Sequence, residues 1–313
     1  MFDNWYNMFY YAKKEDFYRM RVVDIHTHGI GGFDTSTASR KQIIRMAEVH
    51  FQHGVTEILP TIYSDETAVM RLHIETVKRA MEIQAQSENK ITTQAKIIGI
   101  NLEGPFLNPT KCGALNRQSF TTPDVKVFDR LVEGFEDIVK IITIAPELDG
   151  AIELIKHVVK RGIIVSMGHS EATYSQAEAG FYAGATGVTH LFNAMPVFHH
   201  REPGLTGFAL TNKDIYIEVI GDSYHLHPKT IELIFNLKPP EKIILISDSV
   251  KEAKTTLATG RIVDSKGTLM GGSMTLMEAA KRLISLGFDE QLVMRTVTDN
   301  PQRYLSVLTS KMV

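Results

Sequence analysis

Eight short runs of apolar, largely β-branched residues recur along the chain, and most are followed by a stretch whose apolar positions return every three or four residues. The runs lie at residues 22–25, 56–61, 96–102, 139–145, 163–167, 187–191, 215–220 and 242–247. Apolar runs of this length read as strands of a parallel sheet buried on both faces. Residues 39–53, 65–84, 125–134, 151–161, 170–183, 228–237 and 275–286 read as amphipathic helices; in the first of them Ile43, Ile44, Ala47 and Phe51 share one face. Ser64 or Asp65 stands where it can cap the second helix, and Ser170 where it can cap the fifth. Eight strand–helix units over about 260 residues predict a (β/α)8 TIM barrel. An open doubly wound sheet is the alternative, but it gathers its chemistry at one switch point. Two stretches break the rhythm. Residues 193–212 read as a long polar loop, and Arg261-Ile262-Val263-Asp264-Ser265-Lys266-Gly267-Thr268-Leu269-Met270 reads as a hairpin. With no repeat and no linker, the expected organisation is one barrel over residues 22–313 behind an N-terminal extension, 1–21.

Polar residues then stand out by where they fall. Asp24-Ile25-His26-Thr27-His28, Glu103, His169, His190 and Asp248 each sit at the end of an apolar run. The carboxyl ends of parallel barrel strands converge on one mouth. His26 and His28, two apart on an extended backbone, can point the same way. A glutamate between Ile100-Asn101-Leu102 and Gly104-Pro105-Phe106 is expected to be buried or at a cavity rim, where it needs a cation or hydrogen bonds. Each histidine alone reads equally well as a core residue bonded to backbone. Taken together, Glu103, His169 and His190 form a three-ligand N/O set with an open position, the pattern of a catalytic rather than a structural metal site. Asp248 is placed to take and return a proton beside such a metal. His225, after the seventh run, is placed to orient a substrate carbonyl or hydroxyl.

Composition narrows the classes. The 313 residues are 43% hydrophobic and 22% charged, with a formal net charge of -2, which gives no electrostatic case for nucleic acid or an anionic membrane. The one cysteine, Cys112, excludes an intrachain disulfide and fits a cytoplasmic address. No run approaches the ~20 apolar residues of a membrane span, and residues 1–20 lack the apolar stretch of a signal peptide.

The segments Glu103-Gly104-Pro105-Phe106-Leu107, Gly168-His169-Ser170, Thr189-His190-Leu191-Phe192-Asn193-Ala194-Met195 and His200-Arg201-Glu202-Pro203-Gly204 are similar in combination to N-acetylglucosamine-6-phosphate deacetylases of the amidohydrolase superfamily. The resemblance runs from about Val22 to Tyr304. It implies metal-dependent hydrolysis of the acetamide of an N-acetylated amino-sugar 6-phosphate. Glu103, His169 and His190 match the principal metal ligands, and His26 and His28 match a first-strand pair that supports a second ion in some members. Asp248 matches the catalytic carboxylate, and His225 a histidine near the substrate carbonyl or sugar. Asn193, Ala194, Gly113 and Ala114 match substrate-contacting positions. Arg201 matches a phosphate-binding arginine that reaches the neighbouring active site of a homodimer. The implied cofactor is zinc, with iron or another divalent ion as alternatives, one or two per subunit. Four departures shape the expectation. Leu115 follows Gly113-Ala114 where the family usually has histidine, which admits N-acetylgalactosamine 6-phosphate, another amide, or a non-catalytic sugar-phosphate-binding barrel. Asn101 stands where histidine is common, and Asp222-Ser223 replaces Asp-Gly. Typical members also carry a small β-sandwich, expected here to be absent or vestigial.

Overall fold

In the computed structural model, which describes residues 20–86, 93–253 and 260–307, the apolar runs become eight neighbouring parallel strands. In chain order they are Val23–Thr27, Glu57–Tyr63, Ile100–Glu103, Val139–Ile144, Ile164–Met167, Gly187–Val188, Tyr216–Ile220 and Ile243–Ile246. Each pairs in parallel with the next. The first and last meet through their ends: Asp248 N donates to His26 O at 2.9 Å, and Ser247 N to the Asp24 carboxylate at 3.3 Å. The result is the expected (β/α)8 barrel.

The core has two compartments, as two-sided burial of every strand requires. Val23, Ile25, Leu59, Ile141, Ile164, Tyr216, Ile220, Ile244, Ile246 and Tyr304 fill the barrel itself. A larger cluster lies between sheet and helices, among it Ile43, Met46, Ile58, Ile74, Phe128, Leu154 and Leu283. Tyr304, on the helix Asp299–Leu305, packs its ring against Tyr216 at 4.9 Å between centroids, tilted by 39°. Its hydroxyl comes so close to Gly187 that a Cβ there would stand 2.0 Å away, so the sixth strand must begin with glycine.

Several local expectations shift. The run 96–102 splits into Lys96–Ile97 and Ile100–Glu103, both paired with Glu57–Tyr63. The polar loop 193–212 ends in a helix, Gly204–Thr211, whose residues Gly204 to Leu210 are all buried. A helix apolar all round has no amphipathic signature, and its glycines and threonines read as loop. Ser170 is not a cap. It donates to Glu147 at 2.6 Å, while Thr173 caps the helix Tyr174–Tyr182 in a reciprocal pair with Gln176. Neither Ser64 nor Asp65 caps Thr67–Ala85, whose N-cap position is Glu66 without a side-chain bond. The helices Glu290–Val297 and Asp299–Leu305 went unpredicted. The hairpin at 261–270 is present as a bridge between Val263 and Leu269. Among the described residues, β structure outside the barrel sheet is limited to isolated bridges and the ribbon of Gly29–Ile30 and Phe33–Asp34. Most of the expected extension, residues 1–19, lies outside the described residues. Among the described residues no helix is long and apolar enough to cross a membrane.

Candidate metal centre

The strand ends carry four imidazoles and two carboxylates to one point in the barrel mouth. His169, His190 and Asp248 each stand two residues past a strand, with φ of 46°, 30° and 46°. A left-handed backbone costs a non-glycine residue about 1–2 kcal/mol, and three such residues around one centre mark a functional site. His26 and His28 reach the centre differently. The pairing of Val23–Thr27 with Glu57–Tyr63 shifts register between Asp24 and Thr27. This irregularity lets Ile25 join the barrel's apolar filling while His26, next in sequence, also faces inward.

Glu103 is the hub. Its Oε1 lies 3.0 Å from both His169 Nε2 and His190 Nε2, which are 3.0 Å from each other. Its Oε2 lies 3.1 Å from His28 Nε2. His26 Nε2 is 3.3 Å from His28 Nε2 and 3.4 Å from Asp248 Oδ1. The donor atoms thus form two triplets, Glu103–His169–His190 and His26–His28–Asp248, each within 4.8 Å and all buried.

The far sides of the rings fix what the near sides offer. His169 Nδ1 faces the carbonyl of Lys111 at 2.8 Å, and His28 Nδ1 the carbonyl of Thr61 at 3.0 Å. His26 Nδ1 faces the Glu218 carboxylate at 3.0 Å. All three partners only accept, so each Nδ1 carries hydrogen and each neutral ring turns a lone pair toward the centre. Lone pairs and carboxylate oxygens packed at 3.0–3.6 Å repel unless positive charge lies among them. Where protons rather than an ion supply that charge, the shifts show the same demand for it. Burial opposes charge on His26, yet Asp248, Glu218 and Glu103 push it up to about 10. Burial likewise favours a neutral Glu103, yet His169, His190 and His28 hold it well below the usual carboxylate range. A divalent cation satisfies this donor set, and neutral imidazole with carboxylate is a set that zinc and iron accept.

Around the centre, Tyr63 stacks on His28 at 3.9 Å with 11° between planes. His225 sits between Asp222, 2.8 Å from Nδ1, and the carbonyl of Met270, 2.8 Å from Nε2. Two acceptors demand two ring protons. Burial lowers the His225 pKa, but Asp222 outweighs it and the net shift is upward. The segment bearing Met270 lies against the eighth strand's end, where Gly272 N donates to Asp248 O at 2.6 Å.

The loop positions fall at the rim. Gly113 and Ala114 are exposed, and a Cβ on Gly113 would stand 3.7 Å from His169 Cε1 and 3.9 Å from Ala194 Cβ. Asn193 Nδ2 donates to His190 O at 3.2 Å, and Ala194 O accepts from Ser170 N at 3.1 Å. Arg201 is exposed and outside the cluster; its guanidinium lies 3.0 Å from His200 Nε2. Sequence reasoning missed Glu218, Tyr63, Asp222 and Gly271-Gly272. Glu218 left a signal, a lone carboxylate inside the apolar run 215–220.

Comparison with known proteins bears on the same residues. The amidohydrolase family model matches residues 22–309. The N-acetylglucosamine-6-phosphate deacetylase of Bacillus subtilis (strain 168) is 35% identical over 274 residues, which cover 84% of this chain and 68% of that protein. The N-acetylgalactosamine-6-phosphate deacetylase of Escherichia coli O157:H7 is 28% identical over 298 residues, 91% of this chain and 77% of that protein. A crystal structure of N-acetyl-D-glucosamine-6-phosphate deacetylase from Mycobacterium smegmatis superposes with a TM-score of 0.82 at 29% identity, covering 92% of this chain and 78% of that one.

Proposed function

The chain belongs to the amidohydrolase family, and from that premise we propose that it hydrolyses the acetamide of an N-acetylated amino-sugar 6-phosphate, releasing acetate and the amino-sugar phosphate. One observation carries the reading: Glu103, His169 and His190 meet at 3.0 Å in a buried mouth that also holds Asp248. These three would hold the principal cation, zinc before iron, and His26 and His28 would serve a second. When bound, the cation supplies a Lewis acid that polarises the amide carbonyl and acidifies water.

The chain's own residues supply the rest. Asp248 accepts a proton from water and returns it to the departing amine. His225 is held as a donor by Asp222, and the substrate's carbonyl or hydroxyl takes the place of the Met270 carbonyl at Nε2. Asn193, Ala194, Gly113 and Ala114 line the rim where the sugar phosphate would lie. Arg201, exposed beside Val197 and Phe198, would fork onto the phosphate in the neighbouring subunit of a homodimer. The reading takes residues 22–313 as one catalytic barrel behind a short extension. A cytoplasmic site of action is supported by the single cysteine.

The sugar is the open choice. Leu115, where the similar family usually has histidine, favours weighing N-acetylgalactosamine 6-phosphate beside the glucosamine epimer. The test is acetate release from both phosphorylated sugars and from unphosphorylated N-acetylglucosamine, with metal content measured on the same sample. Metal-dependent release from a phosphorylated sugar is expected. A metal-replete protein that releases acetate from neither overturns the reading, and equal rates without phosphate remove the Arg201 role.

A further inference from the structure

Glu218 sits where a carboxylate is costly. It is buried in the strand Tyr216–Ile220, on the face it shares with Tyr216 and Ile220, both part of the barrel's apolar filling. Its Oε2 lies 3.0 Å from His26 Nδ1, and its Oε1 is buried without a hydrogen-bond partner. The other oriented rings are held by neutral groups, His28 by the Thr61 carbonyl and His169 by the Lys111 carbonyl. His26 alone among these is backed by a full negative charge.

That asymmetry falls on one side of the centre. The two oxygens of Glu103 divide between the triplets, Oε1 toward His169 and His190, Oε2 toward His28. The Glu103–His169–His190 triplet has its carboxylate in direct contact with both imidazoles. The His26–His28–Asp248 triplet is looser, with Asp248 Oδ1 at 3.4 and 3.6 Å from the two rings. A carboxylate behind a ligating imidazole fixes its tautomer and raises its basicity. We propose that Glu218 is a positioning residue that, through His26, sets the affinity of the His26–His28–Asp248 triplet for the second cation that His26 and His28 would serve. This rests on the deacetylase reading only for the placing of the two ions.

The test strips the whole purified protein of metal and titrates it with zinc, and separately with manganese for electron paramagnetic resonance. Wild type is expected to take up two equivalents and to give the spectrum of a spin-coupled manganese pair. Glu218→Gln is nearly isosteric and keeps an acceptor for His26 while losing the charge. It is expected to bind the second ion about 10–100-fold more weakly, with the first unchanged and the coupled signal reduced. Glu218→Leu removes both acceptor and charge and is expected to bind one ion. A purely structural role would lower thermal stability and leave stoichiometry and second-ion affinity alone. Unchanged second-ion affinity in Glu218→Gln, or a wild type that binds only one ion, overturns the proposal. Wild type that binds two ions but releases no acetate from either phosphorylated sugar overturns the deacetylase reading instead and leaves the role of Glu218 standing.

Discussion

Asp248 combines a strained backbone, a buried carboxylate and contact with two imidazoles. An aspartate that merely capped the next segment would need none of these. Asp248→Asn preserves the side chain's volume and removes its basicity, so turnover is expected to fall by about 10²–10⁴, with the ion at Glu103, His169 and His190 retained. The check is steady-state kinetics with metal analysis; near-normal turnover sinks the base assignment. At this scale the sequence was informative where a polar residue ended an apolar run, which is how Glu103, His169, His190 and Asp248 came into view. His225 stood out after the seventh run as a candidate to orient a substrate carbonyl or hydroxyl, but its protonation was not legible there. Its meaning comes from Met270, 45 residues away, whose carbonyl makes it a two-proton donor, and no local pattern encodes that contact.

Elements hold these residues in place, and one close approach is decisive. The segment after the hairpin at 261–270 presses against the strand Ile243–Ile246 at its carboxyl end: a Cβ on Gly272 would stand 1.9 Å from Ser247 O, and one on Gly271 2.3 Å from Asp248 O. Backbone cannot yield as a flexible side chain can. Gly272→Ala is therefore expected to displace the Asp248 loop, lowering both thermal stability and turnover by at least about tenfold in rate; an unchanged kcat and Tm would refute it. The helix Arg40–Gln52 carries a second testable feature. His50 is fully buried, with Nε2 3.0 Å from Thr27 Oγ1 and Nδ1 without a partner. Burial, aided by His53, lowers its pKa from 6.5 to about 3. The unfolded chain then binds a proton that the folded chain refuses, so stability is undiminished above pH 6.5 and falls as pH drops toward 3. The stability of wild type relative to His50→Gln should decrease by about 2 kcal/mol between pH 7.5 and 5. Denaturant titrations of both proteins at the two pH values measure it, and other titrating groups cancel in the difference. A constant difference rules the account out. Amphipathic helices such as Arg40–Gln52 were legible because one face repeats. The helix Gly204–Thr211 was not, since burial on all sides erases the repeat.

At the scale of the molecule, alternation of strand and helix made the barrel legible, because two-sided burial forces continuous apolar strands. Closure was not legible: it depends on His26 O and Asp24 meeting Asp248 and Ser247 more than 220 residues along the chain. Arg201 is exposed, and its described hydrogen bonds run only to its neighbours His199 and His200. Val197 and Phe198 on the same loop are 88% and 50% exposed, and in the proposed homodimer this is the surface that the second copy would cover. If Arg201 serves the partner's mouth, Arg201→Ala should raise KM for the phosphorylated substrate about 10–100-fold, the worth of a charged hydrogen bond, with kcat changed far less. The stricter check is complementation. Arg201→Ala and Asp248→Asn proteins are each impaired alone. In a mixed dimer, the site with intact Asp248 receives Arg201 from the other chain, so unfolding and refolding the two together should restore about a quarter of wild-type activity at low substrate. An arginine acting within its own chain would give no recovery, because every site would then lack either its base or its phosphate clamp.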